Sequence, residues 1–353
     1  MIRAQTLSPP VAWRPPPWLE EILRFIGGLL LAGIGFGIVL LLFGKDPIKA
    51  YAEIFRGALG DSYGWTEVLV KMIPFILCAL AAAVPAKVGL VNVGAEGQLY
   101  FGALVSSWVA LNFGDQSAFV LIPAMVVAGF VGGGLYAGIV GYLRAQAGLN
   151  ETISSLLLNY IAILVVNHFV HGPWKDPSPM NWPFTAEFSS AARLPSLFDS
   201  RVHYGLFLAI IAVVAVYFLF KRTRWGYEMR VVGGNADAAR RTGINVTWYL
   251  VGAMVIAGGL AGIAGMAETS AIQGRLRPGI SNGYGYVGFL ASWLANASPL
   301  RIVITSALLA IISVGGDVIQ IAVSLPSSSI NILMALTLFG VLGTRKISLR
   351  SRR

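Results

Sequence analysis

Apolar residues run along this chain in long blocks separated by short polar interruptions. The blocks cover 25–43, 67–86, 91–111, 118–143, 153–170, 204–220 and 248–266, with shorter ones at 284–295, 302–313 and 327–342. A helix rises about 1.5 Å per residue and a bilayer's hydrocarbon core is about 30 Å thick, so blocks of this length predict membrane-crossing helices. A segment in lipid must satisfy its own backbone, which excludes isolated strands. The pattern predicts an all-α polytopic membrane protein of about ten transmembrane helices. Gly, Asn and Pro interrupt the last third, where broken or re-entrant segments are expected.

The interruptions set the domain plan. Residues 1–21 carry Pro9, Pro10, Pro15, Pro16 and Pro17 and read as an extended tail, because proline lacks the amide and fixes φ. The block at 25–43 is too long for the apolar core of a secretory signal, so it is counted as the first span. Residues 22–343 form the transmembrane domain. Within it lie a proline-rich loop, 172–202, and a hydrophilic loop, 221–247; a basic tail, 344–353, follows. Ten spans place both ends on one side, together with Lys87, Arg144, loop 221–247 and Arg301. That side collects most of the basic residues, so the positive-inside rule makes both termini cytoplasmic. Lys45, Lys49 and Arg56 fall on the other side and depart from the rule.

Composition agrees. The chain is 56% hydrophobic and 12% charged, about half the charge of a soluble domain, so a soluble globular protein is excluded. The net charge of +10 is distributed between apolar blocks, where it serves topology and not nucleic acid. Cys78 is the single cysteine and lies in an apolar block, which excludes an intrachain disulfide and a thiolate metal cage. His168 and His171 share a helical face, but the next turns offer Gly172 and Lys175, short of the three or four ligands zinc requires. No metal and no cofactor is expected. Glycine pairs at four-residue spacing, Gly33/Gly37, Gly129/Gly133, Gly134/Gly138 and Gly258/Gly262, mark candidate close helix contacts.

Polar residues inside apolar blocks are the candidates for chemistry, because an ionisable group in lipid is expensive unless it faces protein or water. Glu96 sits in Gly89-Leu-Val-Asn-Val-Gly-Ala-Glu-Gly-Gln98, where glycines and the polar Asn92 and Gln98 interrupt a helix. Two readings stand for Glu96: contact with a solute pathway, or capping of a helix start. Asn159, deep in the fifth span, has the same pair of readings, pathway or helix–helix hydrogen bond. Tyr284 and Tyr286, in Ser281-Asn-Gly-Tyr-Gly-Tyr286, can stack on a flat ligand or sit at the lipid interface. Gly102–Trp108 and Gly288–Trp293 echo each other, each after a glycine-rich break. In the 221–247 loop, Asp237, Ala238, Ala239, Arg240 and Gly243 outline a short helix ended by glycine. It reads as a docking element or as a headgroup-binding patch. The chain has no G-x-x-x-x-G-K-[ST] phosphate cradle, no H-E-x-x-H and no G-x-S-x-G elbow, so neither ATP binding through a phosphate cradle nor hydrolytic catalysis is read from it.

These residues together resemble a known family, the permease subunits of bacterial ABC importers in the branch that moves nucleosides and simple sugars. The resemblance rests on Gly89–Gln98, on Asn150-Glu151 with Leu158-Asn159-Tyr160, on Arg230-Val-Val-Gly233 with Ala238-Ala239 and Gly243-Ile244, and on 281–290, in the family's order. It implies that 237–243 is the coupling helix that docks on an ATP-binding subunit. It also implies a second permease subunit, two cytoplasmic ATP-binding subunits and an extracytoplasmic solute-binding lipoprotein, around a permease in the bacterial plasma membrane. Asp237 replaces the family's usual glutamate, and Ala295-Asn296-Ala297 replaces a glycine-containing turn. Branched-chain amino acids are the competing cargo, and an ion-gradient-driven secondary transporter using Glu96 is the competing mechanism.

Overall fold

The computed structural model describes residues 16–177, 182–197, 200–322, 324–326 and 328–347. Most of the proline-rich tail and the end of the basic tail lie outside them. The described residues form thirteen α-helices: α1 (Pro17–Leu42), α2 (Pro47–Leu59), α3 (Ser62–Ala86), α4 (Ala95–Asn112), α5 (Ala118–Ala147), α6 (Glu151–His171), α7 (Gly205–Arg222), α8 (Arg224–Gly234), α9 (Ala236–Arg241), α10 (Val246–Ala267), α11 (Tyr284–Leu294), α12 (Pro299–Ala322) and α13 (Ser328–Ile347). A π-helical turn, Glu268–Gln273, continues α10.

Seven helical segments are long and apolar enough to cross a membrane: α1, α3, α5, α6, α7, α10 with its π-turn, and α12. The sequence block at 91–111 divides. Residues 88–94 are largely non-helical, and α4 starts only at Ala95. The block at 284–295 becomes α11, whose 11 residues reach only about 16 Å, half the hydrocarbon thickness. Helix α2 was not among the expected elements. Asp46 caps it by accepting from the amides of Ile48 and Lys49, Pro47 occupies its first turn, and Ala50, Ile54 and Ala58 form a buried stripe. Lys45, Lys49 and Arg56, the departures from the charge rule, flank or belong to this amphipathic helix, which packs against α12 through Gly57–Val318 and Ile54–Gly315.

Helix α3 is the central post, with 83% of its most apolar window buried. Around it, α4, α5 and α10 interlock through backbone. A Cβ placed on Gly258 would lie 2.1 Å from the Gly133 carbonyl oxygen, one on Gly262 2.0 Å from that of Gly129, and one on Gly265 2.1 Å from that of Leu99. Two glycine pairs read from the sequence, Gly129/Gly133 and Gly258/Gly262, therefore face each other across one seam. In lipid, where apolar side chains gain little by leaving their solvent, such proximity supplies dispersion and weak hydrogen bonds. Gly33/Gly37 does not mark such a seam: Gly33 has open space, and its carbonyl accepts from the Tyr51 hydroxyl at 2.5 Å. Helix α11 ends on Asn296 and Ala297 at φ 54° and 51°, at the turn where the sequence departs from the family pattern. Asparagine tolerates the left-handed region, whereas alanine there costs about 1 kcal/mol.

The molecule has two distinct ends. One carries α8 and α9 with their basic residues, hereafter the basic face; the other carries the segment between α6 and α7, the loop face. On the loop face Phe188 donates its amide to Gly274 at 2.9 Å, and Thr185 and Leu276 exchange hydrogen bonds. His203 is buried there and accepts from the Gly205 amide; burial lowers its pKa to about 4, so the ring is neutral.

Gly262→Val would drive a side chain into the Gly129 carbonyl. The expected result is a destabilisation of about 3 kcal/mol or more, read as a lower melting temperature and less folded protein in detergent. Gly33→Val, facing open space, should leave both within experimental error.

Candidate functional site

The site begins with the broken backbone at 91–98. After α3 ends, Gly89 turns at φ +80° and the chain re-enters the helix bundle without helical hydrogen bonds of its own. Backbone groups at this depth need protein partners, and the polar residues found in the sequence provide them. Val91 N–H donates to Glu151 Oε1 at 3.2 Å, Val93 N–H to Ser155 Oγ at 3.3 Å, and Gly94 N–H to Asn92 Oδ1 at 3.0 Å. The Val93 carbonyl accepts from Asn159 Nδ2 at 3.0 Å. Gly97, in the first turn of α4, donates to Asn159 Oδ1 at 2.8 Å. Asn92 and Gln98 exchange amide hydrogen bonds, 3.1 and 2.9 Å, and Asn92 also donates to the Ala81 carbonyl.

Helix α11 enters the same cluster from another direction. Its first-turn Gly285 amide donates to Glu96 Oε2 at 2.7 Å, and Tyr284 N–H donates to Ser281 Oγ at 2.9 Å. The start of α11 therefore meets the start of α4, with a carboxylate between two positive helix ends. Close approach is required: a Cβ on Gly285 would lie 2.2 Å from the Glu96 amide nitrogen. Asn159 Nδ2 reaches the Tyr286 hydroxyl at 3.3 Å, and Tyr100 donates to the Ser281 carbonyl.

Asn92, Glu96, Gln98, Asn159 and Tyr286 thus belong to one connected hub, with the first four nearly fully buried. Their hydrogen-bonding capacity goes largely to each other and to the broken backbone. Tyr284 stands at the margin, its ring edge-on to Phe75 at 5.8 Å between centroids. The echo between Gly102–Trp108 and Gly288–Trp293 has a structural counterpart: both segments belong to helices that start inside the bundle.

On the basic face, Asn235 caps α9 by accepting from the amides of Asp237 and Ala238. Gly243, at φ +84°, ends it: its amide donates to Arg240 and that of Ile244 to Ala239. Asp237, Ala238, Arg240 and Gly243 are exposed, with Asp237 and Arg240 paired at 2.8 Å, whereas Ala239 is fully buried and anchors the helix. The Tyr249 hydroxyl and Arg224 both hydrogen-bond Glu228 and hold its pKa below the usual carboxylate range. A cavity of about 550 Å³ lies beside α9, lined in part by Tyr227, Glu228, Thr242, Gly243 and Trp248. Helix α8 rests on the turn that feeds the hub: a Cβ on Gly233 would lie 2.3 Å from the Lys87 carbonyl oxygen. Lys87 also lies over the Phe220 ring at 5.2 Å; burial, then Arg230 and Lys221, lower its pKa.

Sequence reasoning missed a second polar group near the loop face. Lys71 of α3 pairs with Asp317 of α12 at 2.5 Å and donates to Ser313 at 3.1 Å. Glu268, on the π-turn, is buried and accepts from Gln273 at 3.0 Å, and Glu67 pairs with Arg201 at 2.7 Å. The available signal was an ionisable residue inside or directly abutting an apolar block.

Asn159→Leu leaves the Gly97 amide and Val93 carbonyl without their partners. A loss of about 3 kcal/mol is expected, measured as a fall in melting temperature of the purified protein. Tyr286→Phe, which removes only the 3.3 Å hydroxyl contact with Asn159 and leaves both backbone groups paired, should lose less.

Residues 64–342 match a family model described as branched-chain amino acid transport system / permease component. The chain is 36% identical to a glucose ABC transporter permease protein of Haloferax volcanii over 334 residues, 92% of this chain and 87% of that one. It is 34% identical to a nucleoside ABC transporter permease protein of Lactococcus lactis subsp. cremoris, covering 84% of this chain and 83% of the relative. A guanosine ABC transporter permease protein of Bacillus subtilis is 28% identical, with coverages of 88% and 90%. With the model matched across most of its length, this multi-pass membrane chain belongs to the branched-chain amino acid transport system / permease component family and is a transport subunit, not an enzyme.

Proposed function

We propose that this chain forms the translocation pathway of an ATP-driven importer for a nucleoside or simple sugar. It works beside a second permease subunit, with two cytoplasmic ATP-binding subunits and an extracytoplasmic solute-binding lipoprotein. The names of the relatives, glucose, nucleoside and guanosine permeases, support this cargo over the branched-chain amino acids of the family description. Ten crossings fit if residues 88–94 with α4 count as one and 274–283 with α11 as another; both termini and the basic face are then cytoplasmic, in keeping with the positive-inside rule.

The observation that carries the mechanism is the seat of α8 on the Lys87–Gly89 turn, through Gly233. The exposed part of α9 docks on the ATP-binding subunit. Closure of that partner on ATP displaces α8 and α9 together. The displacement passes to the turn, along the broken segment to the starts of α4 and α11, and shifts the bundle between outward- and inward-open arrangements. Solute need not be held tightly, because a ligand biases such an equilibrium only by its difference in affinity for the two states. Among the candidate pathway residues, Asn92, Gln98 and Asn159 carry the shift as parts of the hub, while Tyr284 and Tyr286 lie at its edge toward the solute. The relatives are ABC transporter permeases, which supports ATP over an ion gradient as the driving force.

Gly243 tests this reading. A Cβ there meets open space, and φ is +84°, so Gly243→Trp projects bulk into the docking surface at a cost of about 1 kcal/mol to the turn. ATP-dependent uptake should fall at least tenfold while membrane abundance stays unchanged. Undiminished uptake, or uptake that stops when ion gradients are collapsed with ATP present, would contradict the mechanism.

A further inference from the structure

One cavity on the basic face is lined by cations and by no acid. Its volume is about 500 Å³, and its wall includes Lys87, Tyr217, Lys221, Arg230 and Ser298. Each cation comes from a different element: Lys87 from the turn after α3, Lys221 from the last turn of α7, and Arg230 from α8. Among the described residues none of the three forms an ion pair. Arg230 donates to the Phe220 carbonyl in the last turn of α7, which fixes its guanidinium beside Lys87 without neutralising it. Arg230 and Lys221 are also the charged neighbours that, after burial, lower the pKa of Lys87. Three like charges are thus crowded together with no counter-charge from the protein.

The cavity lies at the level of the membrane surface. Lys221 stands at the end of α7 and Ser298 directly before α12, and both helices are long and apolar enough to cross a bilayer. The cations therefore sit where these helices leave hydrocarbon. From Lys221 an exposed apolar stripe runs back along α7 through Phe218, Val214, Ile211 and Phe207. Its spacing, alternately three and four residues, keeps these side chains and Lys221 on one helix face. A free anion gains nothing from that stripe, whereas an acyl chain lies along it. Basic pockets between transmembrane helices are suited to phospholipid headgroups for the same reason.

We propose that this cavity binds the phosphate of an anionic phospholipid whose acyl chains lie along the α7 stripe. Phosphate oxygens accept charge-assisted hydrogen bonds from ammonium and guanidinium groups, and the hydroxyls of Tyr217 and Ser298 supply further donors. A zwitterionic headgroup brings an ammonium of its own, which three cations repel, so the site selects net negative charge. One headgroup bridges three elements that no ion pair joins. Two of them, α8 and the Lys87 turn, are the pair that meets at Gly233. The lipid clamps α8 to the turn that feeds the hub and makes the response to ATP depend on the charge of the membrane. The inference goes beyond the importer reading and rests on it only for the leaflet, the cytoplasmic one, and for the presence of ATP-binding subunits.

The test uses the complete transporter in detergent, with native mass spectrometry reading the binding of dioleoyl phosphatidylglycerol, dioleoyl phosphatidylcholine and inorganic phosphate. The parent should hold phosphatidylglycerol at least tenfold more tightly than phosphatidylcholine, and excess inorganic phosphate should not displace it. Lys87→Gln combined with Lys221→Gln leaves the Arg230–Phe220 hydrogen bond in place and should weaken phosphatidylglycerol binding at least tenfold. Lys49→Gln with Arg56→Gln, which removes two cations from α2, should not. Adding phosphatidylglycerol to phosphatidylcholine vesicles should raise the ATPase rate of the reconstituted parent severalfold and leave that of the Lys87/Lys221 variant unchanged. The site is overturned if that variant binds the lipid as the parent does or if inorganic phosphate displaces the lipid. It is equally overturned if the variant sheds its ATP-binding subunits, since the cavity then belongs to their interface. A parent that binds phosphatidylglycerol but hydrolyses ATP equally in both vesicles refutes the clamp. If the parent purifies without ATP-binding subunits, the importer reading fails, and the lipid comparison still decides the site.

Discussion

A polypeptide that stops being helical inside a bilayer must find protein partners for every backbone group it frees, because no water is there to take them. Residues 88–94 impose that condition here. It is met by Glu151, Ser155 and Asn159 of α6 and by Asn92 of the segment itself, while Glu96 ties in the start of α11. The seams elsewhere follow from the same constraint, since helices that carry the broken segment must approach closely enough to shield it. Glycines at 129, 133, 258, 262 and 265 let α4, α5 and α10 do so. Removing Asn92, Glu96 or Asn159 therefore leaves orphaned backbone and not merely a lost contact.

This arrangement links the basic face to the hub without a long-distance signal. Helix α8 touches the turn after α3, and the turn continues into the hub, which holds the starts of α4 and α11. Each step is a packed or bonded neighbour. Buried polar networks with satisfied hydrogen bonds are rigid, which in the proposed mechanism suits the hub to pass on a displacement from the basic face.

Much of this was legible in the sequence, for identifiable reasons. Each of the ten apolar blocks contains a helix, because block length and backbone satisfaction leave few alternatives in lipid. Asn92, Glu96, Gln98 and Asn159 stood out as polar residues in apolar surroundings, but their partners are 60 or more positions away in several cases, as in Gly97 with Asn159, and no local pattern encodes that pairing. Helix α2 was missed because Ala50, Ile54 and Ala58 form a narrow stripe in a segment short for a span, although Asp46-Pro47 announced its start. Lys71, Glu268 and Asp317 were passed over because each alone reads as a tolerated charge in or near a span. Only folding brings them together.

The central claim is that the α8–α9 elbow and the hub move as one body. Spin-label distances in the complete transporter test it, with pairs at Arg240 and Leu149, the latter exposed beside α6, and at Arg240 and Glu21 on α1. Helix α6 is bonded into the hub through Asn159 and Glu151, whereas α1 packs chiefly on α13. On ATP binding, the account predicts an unchanged Arg240–Leu149 distance and a shifted Arg240–Glu21 distance. A shift in the first pair as large as in the second would contradict it.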